Sequence, residues 1–154
     1  MADRLAGYGY VVAAPEIFHR REWIGAVIKP DAMGRLRGNN NARNTHTAAQ
    51  ATACIYPTGL QDGVQCSDRA DSLQRATEIQ GALLTIFGSL DPHVPEPPRE
   101  SILAKLAAVP GLRQRTRLYK ANHTFMRDDG ERWDPQCSDQ AWWEVIAFLQ
   151  KELG

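Results

Sequence analysis

Leu83-Leu84-Thr85-Ile86-Phe87 is a short apolar run that stops abruptly at Gly88-Ser89-Leu90-Asp91-Pro92-His93-Val94-Pro95. An apolar run of this length bounded by turn formers reads as a strand buried on both faces, as in a parallel sheet. In open α/β sheets, sites are built in the loops at the carboxyl ends of strands, which is where Asp91 falls. About thirty residues later a second such edge, Leu118-Tyr119-Lys120-Ala121-Asn122-His123, ends in a histidine. A strand-end Asp followed by a strand-end His supplies two members of a nucleophile–base–acid triad.

The remaining chain fits alternating strands and helices. Asp3 to Ala6 read as the tail of a helix that Gly7 can end. Tyr8 to Ala14, rich in Val and Tyr and closed by Pro15, read as a strand. From Glu16 to Thr47, the glycines, Pro30 and Asn39-Asn40-Asn41 break any period. That stretch reads as a long surface loop whose arginines and Trp23 can line a pocket. Thr52 to Tyr56 is another short strand, containing Cys54. Asp68 to Ala76 is expected to be a short polar helix or loop before the central strand at Gly81 to Phe87. Pro97 and Pro98 suit a helix start, and Ser101 to Ala108 carries Ile102, Leu103 and Leu106 at helical spacing before Pro110-Gly111. Arg113 to Lys120 alternates charged and other residues, as an edge strand does. Asp139 is expected to cap a final helix with Trp142, Val145, Ile146, Leu149 and Leu153 on one stripe. This order predicts an α/β fold with a mainly parallel sheet flanked by helices.

Composition excludes several classes. At 154 residues and 43% hydrophobic content, one domain around one core is expected. Eighteen basic residues balance eighteen acidic ones, so nothing electrostatic favours nucleic acid or an anionic membrane as partner. No apolar stretch approaches the roughly 20 residues of a membrane helix, and Met1 to Leu5 show no signal-peptide character. Three cysteines, Cys54, Cys66 and Cys137, lack metal-site spacing and point to a reduced, cytoplasmic setting. His19, His46 and His93 form no ligand pair, so neither metal nor cofactor is expected.

Several segments together resemble the dienelactone hydrolase family, a branch of the α/β-hydrolase fold. They are Ala2 to Ala6 with Tyr10 to Glu16, Ile86 to Pro95, Tyr119 to Asp128, and the last helix with Ala141-Trp142 and Phe148-Leu149. The resemblance implies a carboxylic-ester or lactone hydrolase with a Cys–His–Asp triad, Ser replacing Cys in some members. It implies that Asp91 is the acid and His123 the general base. Singly, Asp91 also reads as a turn residue before Pro92, and His123 as a surface histidine. Arg20 and Arg127 match positions that bind a substrate carboxylate, for which a guanidinium fork is suited. Each also reads as a solvated arginine, or as a partner of Asp128 or Glu22.

The family's nucleophile sits on a Gly-x-Cys-x-Gly-Gly turn, and this sequence has no Gly-x-Cys-x-Gly or Gly-x-Ser-x-Gly. The segments before and after that unit nearly abut between Arg35 and Gly59. The expectation is therefore an incomplete domain spanning residues 1–154, without the first strands and the nucleophile elbow. Cys54 in an apolar strand, Cys66, Cys137 and Ser89 lack the elbow that exposes a nucleophile beside an oxyanion-binding N–H. Two alternatives to hydrolysis follow: an inactive relative that binds a small carboxylate, or a chain that self-associates through an exposed sheet edge.

Overall fold

The computed structural model describes residues 2–10, 50–58, 60, 64–65, 68–69 and 73–153. In chain order these form helix α1 (Ala2–Gly7) and strands β1 (Ala51–Ile55), β2 (Val64–Gln65) and β3 (Asp68–Arg69). A 3-10 turn (Gln74–Glu78), strand β4 (Ala82–Gly88) and helix α2 (Glu96–Ala107) follow, then strand β5 (Arg113–Tyr119) and helix α3 (Pro135–Leu153). β1, β4 and β5 make a parallel sheet with β4 in the middle.

All seven residues of β4 are buried, because a helix covers each face. Ala82, Leu84 and Ile86 point one way, against Ala141, Trp142, Val145 and Phe148 of α3 and against Phe125. Leu83 and Phe87 point the other way, against Ile102 and Leu106 of α2 and against Val94. This alternation is the period-2 geometry of a strand. Each buried Leu, Ile, Val or Phe among them contributes about 1.5–3 kcal/mol of hydrophobic stabilisation, and the alanines less. Thr85 is the one hydroxyl in the strand, and it pairs with Thr116 of β5 at 2.8 Å.

β5 is one of the two outer strands of the described sheet, and its alternation is chemical as well as geometric. Arg113, Arg115 and Arg117 project towards α3, where Glu152 meets Arg113 and Glu144 meets both Arg115 and Arg117. Charge thus replaces apolar packing along the sheet's edge.

Several elements differ from the sequence reading. Tyr8 and Gly9 form a turn closing α1, with Tyr8 N–H bonded to the Leu5 carbonyl and Gly9 at φ +90°. The expected strand therefore does not begin at Tyr8, Tyr10 is in no strand either, and Val11 to Ala14 lie outside the described residues. Asp68 to Ala76, expected as a short helix or loop, opens with strand β3, paired with β2 through Val64–Arg69 and Gln65–Asp68, and ends in the 3-10 turn Gln74–Glu78, the short helix of that expectation. A ladder of two residues per strand is too short to leave a periodic signal. α2 begins at Glu96, so Pro97 and Pro98 lie inside its first turn, where a missing N–H costs nothing.

Asp139 does not cap α3. The helix starts at Pro135, and the carboxylate of Asp134 accepts the Cys137 N–H at 2.9 Å. Pro135 at the first helical position fixes φ for that start. Replacing Asp134 by alanine should lower stability by about 1 kcal/mol, read as a shift of the urea midpoint, whereas Asp139→Ala should stay within about 0.5 kcal/mol. Leu153, placed on the apolar stripe from sequence, is exposed. Among the described residues no helix is long and apolar enough to cross a membrane.

Candidate functional site

Asp91 and His123 leave adjacent parallel strands at the same end of the sheet. β4 and β5 end in register, with Gly88 opposite Tyr119. Beyond that point the two loops are stitched together. Ser89 N–H donates to the Tyr119 carbonyl at 2.7 Å, and Leu90 N–H to the Ala121 carbonyl at 3.0 Å. Gly88 makes this approach possible: a Cβ there would lie 2.3 Å from the Ala121 carbonyl oxygen.

Asp91 is buried, with both carboxylate oxygens used. Oδ1 accepts the His93 backbone N–H at 2.8 Å, and Oδ2 lies 2.7 Å from His123 Nδ1. Because a carboxylate can only accept, Nδ1 carries a proton in this pair, and whenever the ring is neutral Nε2 is the nitrogen with the free lone pair. The His123 side chain keeps 19% exposure against 1% for Asp91. The carboxylate is thus sealed away while the imidazole keeps access to solvent.

The backbone around His123 is also constrained. Its N–H is held by Asn122 Oδ1 at 2.7 Å, and Thr124 takes φ +63°. A left-handed conformation at a β-branched residue costs about 1–2 kcal/mol. It turns the chain so that Phe125 enters the core directly after the imidazole has left it. Two rings flank His123: His93 at 4.7 Å and Tyr56 at 5.4 Å between centroids. His93 is a loop residue beside the site, as its sequence position suggests. Tyr56 carried no sequence signal, because its contact depends on a φ of +52° at the end of β1.

The other candidates lie differently. Arg127 is on the surface, where its guanidinium grips Asp129, not Asp128, through Nε at 2.7 Å and a second nitrogen at 3.2 Å. That hydrogen bond and the charge of Asp129 hold the arginine above its ordinary pKa. A solvated pair of this kind yields to a competing carboxylate at little cost. Arg20, His19, His46 and Cys66 lie outside the described residues. Burial pushes the Cys54 thiol up to about 11, which keeps it protonated and inert. Burial also raises Cys137, with a hydrogen bond to Asp134 and that residue's charge adding to it. Ser89 is exposed in the β4 turn.

Among the described residues no group of three or more His, Cys, Asp or Glu side chains could hold a metal ion. A hollow of about 300 Å³ between α1 and α3 is lined by Arg4, Tyr8, Asp139, Trp142 and Trp143, none of which belongs to the Asp91–His123 site.

A parallel sheet whose central strand is buried between two helices, with an Asp–His couple beyond its strand ends, is the arrangement of an α/β-hydrolase-like fold. The crystal structure described as "Putative Dienelactone Hydrolase" from Klebsiella pneumoniae subsp. pneumoniae matches with a TM-score of 0.74 at 15% identity, over 96% of this chain and 78% of that one. At that identity the likeness speaks for the fold alone. The family assignment comes from sequence: the dienelactone hydrolase family model matches residues 39–153, and the chain belongs to that family. A search of curated proteins found no match.

Proposed function

We propose that the protein is a hydrolase of small carboxylic esters or lactones, in which His123 is the general base and Asp91 orients it. The observation that carries this reading is the 2.7 Å contact between His123 Nδ1 and the buried Asp91 carboxylate. In such a reaction Nε2 takes the proton of a thiol or hydroxyl as that group adds to the ester carbonyl. The imidazolium so formed is stabilised by the carboxylate on its far side. The same proton then passes to the alkoxide oxygen as the carbon–oxygen bond breaks, and water repeats the sequence to release the acid. Arg127, freed from Asp129, and Arg20 are the candidates for a carboxylate on the substrate.

The nucleophile is the part of this relay that no described residue supplies, since no described thiol or hydroxyl is hydrogen-bonded to His123. That observation favours a second reading, a protein that binds a small carboxylate without turning it over. A chromogenic ester separates the two. Under the first reading the wild-type protein hydrolyses it, and His123→Ala lowers kcat/KM by at least about a thousandfold. Turnover that survives His123→Ala would not come from this couple. No turnover, combined with heat on calorimetric titration with a small dicarboxylic acid, would favour the binding protein.

A further inference from the structure

Tyr56 joins the two halves of the site in a way the triad reading does not use. It follows β1 with φ +52°, a conformation that at a bulky aromatic residue marks a constraint. Its own amide still donates to the Ile86 carbonyl at 2.9 Å, so the backbone stays on the β4 ladder while the side chain departs from it. The phenolic oxygen accepts the backbone N–H of Met126, 70 residues further on, at 2.6 Å. The ring packs edge-on against Phe125 at 5.3 Å and lies tilted against His123 at 5.4 Å. Met126 is buried, so without this oxygen its N–H would have no acceptor on a turn already strained at Thr124. The phenol stays neutral. Burial chiefly pushes it up to about 12, with the Met126 hydrogen bond opposing and the charge of Asp91 adding.

We propose that Tyr56 is a positioning residue for His123. Its hydroxyl anchors the loop from Asn122 to Arg127, and its ring backs the imidazole, so that Nδ1 stays on Asp91. The inference rests on the couple's geometry and uses the hydrolase reading only for its second readout.

Tyr56→Phe tests it, because it keeps the ring and deletes the acceptor. The His123 Nδ1 proton, held against a buried carboxylate, should give a downfield proton resonance identified by its loss in His123→Gln. In Tyr56→Phe that proton should exchange with water about three- to tenfold faster, the change expected from losing one buried hydrogen bond. Ile102→Val, which loosens the opposite core without touching this loop, should leave the exchange rate near that of wild type. Unchanged exchange in Tyr56→Phe, or an equal rise in Ile102→Val, would overturn the proposal. Should Tyr56→Phe not fold, incorporation of 3-fluorotyrosine weakens the acceptor and keeps every ring. It should raise the exchange rate by a smaller factor, and no rise would overturn the proposal equally. If the wild type turns over an ester, kcat in Tyr56→Phe should fall by a similar factor with KM unchanged. Absence of wild-type turnover counts against the hydrolase reading and leaves the exchange measurement standing.

Discussion

Exchanging Gly88 for alanine should cost about 3 kcal/mol of stability and part Asp91 from His123. The added Cβ would sit 2.3 Å from the Ala121 carbonyl oxygen and 3.0 Å from both the Ala121 carbonyl carbon and the Asn122 oxygen. These atoms are backbone, so no rotamer change can relieve the contact. The end of β4 must move away from the loop carrying His123. That movement also strains the Ser89–Tyr119 and Leu90–Ala121 hydrogen bonds. The urea midpoint reads the first effect, and loss of the downfield His123 proton reads the second. Ser89→Ala, one residue on and exposed, is the control and should shift stability by no more than about 0.5 kcal/mol. A Gly88→Ala protein as stable as the wild type would mean that the two strand ends are not in this contact.

Asp91→Asn should lower any ester turnover by about ten-thousandfold while leaving the fold intact. The argument comes from the second carboxylate oxygen. The His93 N–H donates to Oδ1, so an asparagine must keep its carbonyl oxygen on that side. Its amide NH2 then faces His123 Nδ1 and donates to it. Nδ1 becomes the acceptor, the ring proton moves to Nε2, and the atom that should take a proton already carries one. The measurement is kcat/KM against a chromogenic ester, together with the nitrogen shifts of the imidazole, which report the tautomer. An Asp91→Asn protein with wild-type turnover would remove Asp91 from the chemistry.

The core was readable because its signal is local. Leu83 to Phe87 is apolar but for Thr85, whose hydroxyl is paired with that of Thr116, and a strand covered on both faces requires such a run. The arginines of β5 announced an outer strand because three charges at alternate positions cannot all enter a core. The features that were not readable depend on distance or on backbone sign. Tyr56 sits at a strand end like many tyrosines, and nothing in its neighbours foretells a φ of +52° or a hydrogen bond to Met126. Gly88 reads as a strand terminator, and only the fold reveals the carbonyl waiting where its side chain would be. Asp134 and Asp139 are equally good caps by type. Pro135, which can occupy a first helical position, decides between them.

The pairing of Gly88 with Tyr119 has a consequence for how this chain can vary. Asp91 lies three positions past one strand end and His123 four past the other, so the couple is counted out from the sheet rather than built by either loop alone. One residue gained or lost within β4 or β5 would reverse the facing of everything beyond it and put the two groups out of phase. Extra length in the crossover through α2 would be absorbed at the surface. Among descendants of this sequence, length is free to drift in the crossover, whereas the strand ends must keep their count.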